Sequence, residues 1–141
     1  MKNLFITLTL ILSSLLVNSQ IIKLKVTGLQ NYSRPVNENI SESINSDHII
    51  YTDFGFGDCD YIFDLDSQKF VMNDIFGEYH FEGKITKVNK NDNILDVSVG
   101  GCDFILGQFE LNDELVFIIE YKNSLLVDGS FATSNNLKVI E

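Results

Sequence analysis

Basic residues are scarce in this chain: 10 Lys and Arg stand against 20 Asp and Glu in 141 residues, a formal net charge of −10. Affinity for nucleic acid comes largely from cations that neutralise phosphates, so this balance argues against nucleic acid and against anionic membrane surfaces as partners. The acids are dispersed from Glu38 to Glu141 rather than gathered in a tail, which reads as a solvated exterior. Alanine occurs once, at Ala132, and Gln and Arg are few, so the residues that favour helices are thin and a mostly helical domain is not expected. Proline also occurs once, at Pro35, while Ile, Val and Leu with 11 Phe and 5 Tyr supply strand formers and too much apolar surface for disorder.

Long apolar runs are missing too, with one short exception. Leu4 to Val17 is apolar apart from Thr7, Thr9, Ser13 and Ser14; Lys2 precedes it and Val17-Asn18-Ser19 follows. A basic, then apolar, then small-residue order is that of a secretory signal peptide, and the run is shorter than the ~20 residues a membrane span needs. The Ser-Gln junction resembles the secretory signals of some Gram-negative bacteria. The expectation is a leader over residues 1–19, a single β-domain over 20–141, a secreted or periplasmic location and no membrane span. Losing Lys2 with the leader leaves nine basic residues against the same 20 acids.

Helix-length patterns are absent after residue 48, and alternation takes their place. Ile22, Leu24 and Val26 alternate with Lys23, Lys25 and Thr27, and Gly28 reads as the end of that strand. Behind Pro35, Val36, Ile40 and Ile44 recur every four residues in a polar, Asn/Ser-rich interval, compatible with a short helix over about 35–45 or with an irregular loop. His48–Phe54, Gly55-Phe56-Gly57 and Cys59–Leu65 read as strand, turn and strand. Further strands are expected at 69–75, 77–88, 95–99, 102–111, 114–122, 124–133 and 137–140. Parallel pairing needs long crossovers that the short connections do not supply, so the sheet must be mostly antiparallel. Nine or ten sequential strands suit an up-and-down β-barrel, which removes its edges by closing, with a two-sheet β-sandwich as the alternative. The segment Gly57–Phe63 echoes Gly100–Leu106, and each is followed by a related fragment, 70–74 and 109–113, at a spacing that differs by four residues.

The motifs of catalysis are missing. There is no Gly-x-Ser-x-Gly elbow, no His-Glu-x-x-His helix and no glycine-rich phosphate loop, since Gly55-Phe56-Gly57 lacks a third Gly and a helix behind it. His48 and His80 read as outward-facing bystanders. Glu78 with Glu82, or Glu110 with Glu120, would form a glycosidase pair only if the fold set them across a cleft. Asp58, Asp60, Asp64 and Asp66 share one parity with side chains in parallel, where calcium needs six to eight converging oxygens. Asn89, Asn91 and Asn93 fail as a calcium loop because Ile94 stands where Gly is required. No catalytic residue, metal ligand or cofactor is assigned.

What remains is two cysteines and the aromatics. Cys59 and Cys102 both open strands after glycine turns with core-facing parity, and export makes a disulfide between them the expectation, worth about 4 kcal/mol in the chain-entropy model. Tyr61, Phe63, Tyr79, Phe81, Phe104 and Phe117 are the candidate lining of a cavity if the barrel is not filled. Tyr79, Phe81 and Ile85 share the parity expected to face inward, against Glu78, His80, Glu82 and Lys84 outward. The functional expectation is an exported, non-catalytic binding module for a small apolar or aromatic ligand or a protein partner. The alternatives are a pocketless protein-interaction or structural domain and, after it, a hydrolase.

Overall fold

A computed structural model describes residues 21–74, 76–91, 94–108, 114–122 and 125–140. Among them the chain forms β1 (Ile21–Pro35), α1 (Ile40–Asn45), β2 (Ile50–Asp64), β3 (Lys69–Asp74), β4 (His80–Asn91), β5 (Ile94–Val99), β6 (Cys102–Gln108), β7 (Leu115–Lys122), β8 (Leu126–Thr133) and β9 (Leu137–Ile140). Strands β2 to β8 pair in sequence, β8 pairs with β1, and β1 pairs with β2, so β1 to β8 close an antiparallel ring. The chain is a small all-β, up-and-down barrel rather than a sandwich. The second half of β1, Gln30–Pro35, lies against β8, and its first half, Lys23–Val26, is covered by the additional strand β9. The leader segment falls outside the described residues.

Short turns make this connectivity work. Asp64 accepts the Ser67 amide at 3.0 Å in the β2–β3 turn, and the two-residue β5–β6 turn uses Gly100 and Gly101 at φ +57° and +89°, a conformation glycine adopts without a Cβ penalty. Two expected boundaries are corrected. Gly28 does not end β1, which continues to Pro35, and Gly55-Phe56-Gly57 is not a turn but part of one unbroken β2. Gly28 stands against two residues of β2, Phe56 and Gly57, at a register shift between Thr27 and Leu29, Gly55 pairs with Leu29, and a second shift follows between Gln30 and Tyr32. The alternation of β1 changes at the first shift, since Val26 and Leu29, three residues apart, both reach the barrel core. Ile22, Leu24 and Val26 point into the barrel, but past the bulge Asn31 and Ser33 point inward while Tyr32 and Arg34 turn to the outer face.

The interior is packed by apolar side chains from every wall, with Phe63 and Phe70 ring centroids 5.1 Å apart, Phe70 and Phe104 4.8 Å, and Tyr61 and Phe117 5.0 Å. The space left among Phe63, Leu95, Val97, Phe104, Leu106 and Phe117 is about 10 Å³. A water needs at least that much room and polar partners besides, so this void is dry. A second cluster lies outside the wall, where Tyr32, Ile40 and Ile118 pack with Ile49, Ile105, Val116 and Phe131. The segment carrying α1 covers it. Asn39 caps that helix, its Oδ1 accepting the Glu42 amide while Glu42 Oε2 accepts the Asn39 amide, both at 2.9 Å. Elsewhere the outer faces carry Lys, Asp and Ser around an apolar interior. No helix among the described residues is long and apolar enough to cross a membrane.

Candidate functional site: the open mouth of the barrel

Antiparallel alternation gathers the C-terminal ends of β1, β3, β5 and β7 and the N-terminal ends of β2, β4, β6 and β8 at one end of the barrel. Here the inward side chains change character. Asn31 and Ser33 of β1, Ile119 and Tyr121 of β7, and Asp128 and Ser130 of β8 line an open cleft of about 390 Å³, bordered also by Thr52 of β2. The register explains the grouping, for Asn31, Ser130 and Ile119 stand in one row across the strands and Ser33, Asp128 and Tyr121 in the next. Ser130 Oγ donates to Asn31 Oδ1 at 2.6 Å, and Ser33 Oγ donates to Asp128 Oδ1 at 2.8 Å. Two side-chain pairs are thus held in place on one wall, above a floor made by Ile119 against the barrel core.

The rim of this end is apolar. Of the twelve exposed large hydrophobic residues described, nine belong to it. They are Val36 after β1, Ile50 and Tyr51 at the start of β2, Phe76, Tyr79 and Phe81 around the β3–β4 connection, and Tyr121, Leu125 and Leu126 around the β7–β8 connection. Single exposed apolar residues need no explanation, but clustering at one end of a domain marks a contact surface.

The six aromatics expected to line an interior cavity divide between these two environments. Tyr61, Phe63, Phe104 and Phe117 are buried and in mutual ring contact, filling the barrel rather than enclosing a space. Tyr79 and Phe81 stand at the rim, 53% and 40% exposed, which corrects the expectation that they would be buried. Parity is right, since Ile85 on the same face is buried and Phe81 still reaches Phe70 at 6.1 Å. Parity sets the face and not the depth, and β4 enters the barrel from the mouth, so its first inward residues have nothing above them.

The expected disulfide is also corrected: both cysteines are free thiols. Both pack against the core as their parity requires. They sit on β2 and β6, however, four strands apart in a ring of eight and therefore on opposite walls, with the aromatic core between them. Burial raises both thiol pKa values above the ordinary range, with Asp74 adding at Cys59 and Asp103 at Cys102. Such thiols are protonated and poor nucleophiles.

Three polar constellations lie away from the mouth interior. On the outer face, Arg34 makes a bidentate pair with Glu120 (Nε to Oε1 and Nη2 to Oε2, both 2.7 Å), and Tyr32 donates to the same Oε1 at 2.6 Å. All three are buried. Arg34 Nη1 also donates to the Pro35 and Glu38 carbonyls, tying the α1 segment to the wall. Gly129 lies directly opposite Tyr32, and a Cβ there would collide with the Tyr32 ring, so only glycine lets the ring cross to Glu120. In the α1 segment, His48 Nδ1 lies 2.9 Å from Glu38 Oε1 and Ser43 Oγ donates to Glu38 Oε2 at 3.0 Å. The carboxylate stands between the hydroxyl and the imidazole. Nucleophile activation requires the imidazole in the middle, so this arrangement ties a loop together and does not activate Ser43, which is fully buried. His80, exposed as expected, hydrogen-bonds Asn73 and Glu82 on the outer wall.

Among the described residues no three His, Cys, Asp or Glu side chains are placed to hold a metal ion. The residues that shape the cleft went unnoticed in the sequence because 31–47 looks like one polar loop. The available signal was that Asn31 and Ser33 alternate with Tyr32 and Arg34, a period-two pattern continuing past Gly28. No family model, curated protein or solved structure matches this chain.

Proposed function

We propose that the chain is an exported, non-catalytic binding module that takes a small ligand with an apolar or aromatic body at the open mouth of the barrel. The observation that carries this reading is the contrast between the two spaces. The void described among the core aromatics is about 10 Å³, whereas the mouth offers about 390 Å³ with polar groups on one wall and aromatic residues on the rim. Ligand sites combine an apolar surface with a few placed polar groups, and mouths of β-barrels are a recurrent location for them. The leader is the support for export. The test is to fill the cleft. Ser130→Trp places an indole on its inward wall, and retention of aromatic fragments in equilibrium dialysis is expected to disappear while the far-ultraviolet circular dichroism stays that of the parent. Unchanged retention by the folded variant would contradict the reading.

A second reading, a protein-interaction domain without a pocket, is favoured by Phe76 and Leu125. These are 78% and 77% exposed and lie in the connections beyond the cleft itself. Under that reading Phe76→Ser with Leu125→Ser abolishes capture of a protein partner and leaves fragment binding untouched.

A further inference from the structure

We infer that the ligand of the mouth is an organic cation, an ammonium or guanidinium group carried on an apolar or aromatic body; this rests on the mouth being the binding site. The cleft and its rim define the place, and the distribution of charge along the barrel axis defines the sign. Most described lysines lie on the far half of the molecule: Lys23, Lys25 and Lys138 on the β1–β9 ribbon, Lys69 at the start of β3 and Lys90 near the end of β4, while Lys87 stands across from Ser98 on the outer wall, near the mouth end of β5. Lys84 stands midway along β4. Apart from Lys87, the described cations at the mouth reduce to Lys122 at the end of β7 and to Arg34, whose guanidinium is buried and committed to Glu120. Carboxylates persist there. Asp128 lies in the cleft, Asp74 ends β3 with its inward parity beside Cys59, and Glu78 and Glu38 stand in the connections at the same end.

The inward wall therefore offers a carboxylate at Asp128, acceptor oxygens at Asn31 and Ser33, and the phenol ring of Tyr121, which stands directly across from Asp128 in the register and is 55% exposed. A cation between a carboxylate and an aromatic face gains from both the charge and the ring quadrupole. An anion of the same shape meets like charge and no free arginine. A neutral molecule of that shape keeps only the apolar contact. The low count of cations on the whole chain acts in the same direction at longer range, raising the local concentration of positive ligands near this end.

Three probes of one body separate the charge from the contact: phenethylammonium, 2-phenylethanol and phenylacetate, titrated into the 15N-labelled full chain at low salt and read by amide shifts. The cation is expected to move the Tyr121, Asp128 and Ser130 amides and to bind about tenfold tighter than the alcohol, the scale of one exposed cation–π contact added to one exposed carboxylate contact, with the carboxylate probe weakest. Asp128→Asn should reduce the cation's advantage to about threefold or less, and added salt should shrink it likewise in the parent. Equal affinity for all three probes at the mouth overturns the charge assignment and leaves the mouth reading intact. Shifts confined to residues away from the mouth, or none from any probe at concentrations on the order of 10 mM, overturn both, because that is weaker than the ~1 mM affinity of even a small fragment site.

Discussion

At the scale of single residues, the most consequential group is one the sequence does not announce. Glu120 lies more than eighty positions from Tyr32 and Arg34, and nothing in composition or spacing links it to them; the link is made where β1 changes parity at its first register shift. Their burial makes each necessary to the others. Removing one partner of a buried ion pair leaves an uncompensated charge, so Glu120→Ala or Arg34→Ala should cost about 3–5 kcal/mol in urea denaturation, while Arg34→Met with Glu120→Leu should restore most of that loss. Equal losses in the single and double variants would mean that the pair acts by packing alone. Asp96 presents the opposite case. Its Oδ1 is buried without a partner, and burial first, then the charge of Asp103, raises its carboxyl pKa above the ordinary 3.8. A carboxyl whose folded pKa is raised subtracts stability as pH climbs from the unfolded value through the folded one. Asp96→Asn should therefore raise the thermal midpoint at pH 7 and leave it unchanged below the ordinary carboxylate range. A midpoint that falls at pH 7 would contradict this.

At the scale of elements, alternation was legible and depth was not. The strands at 69–74, 94–99, 115–122 and 137–140 fall close to where the sequence places them, because each is a clean period-two segment between turn residues. The first two strands were misread for one physical reason: glycine marks a bulge as readily as a turn, and at Gly28 and Gly55–Gly57 the bulge won. The helix appears as the four-residue spacing allowed, though Pro35 ends β1 rather than opening α1, and Asn39 supplies the cap. The echo between Gly57–Phe63 and Gly100–Leu106 puts two strands entering from the mouth on opposite walls; of its second pair of fragments, 70–74 lies in β3 and 109–113 falls outside the described residues. Depth along a strand decides energetics. Phe117, 1% exposed amid the ring cluster, should cost about 3–5 kcal/mol when replaced by Ala. Phe81 shares the inward parity yet lies at the rim, so Phe81→Ala should cost roughly 1 kcal/mol, nearer to a surface change. Chemical denaturation that ranks the two alike would show that the rim is more deeply packed than its exposure indicates.

At the scale of the whole molecule, the described core fills the centre of the barrel while its mouth holds an open cleft, and the proposed function rests on that contrast. The sequence revealed the closed antiparallel architecture, because nine alternating strands on short turns leave few other ways to satisfy their edges. It could not reveal which inward positions would meet an opposite wall and which would meet solvent, since that depends on closure and register. The cysteines illustrate the limit. Parity placed both thiols inward correctly, but only the ring order shows that they face each other across the core, so a thiol titration of the unreduced, denatured protein should count two free thiols and not none. The most direct test of the account is the location of a bound small molecule. An amide-shift map recorded with a mixture of aromatic fragments should show its largest changes at Asn31, Ile119, Tyr121 and Ser130, with the amides of Phe63, Leu95 and Leu106 unmoved. Changes centred on Phe63, Leu95 and Leu106 would show that the interior opens to ligands and would contradict the assignment of binding to the mouth.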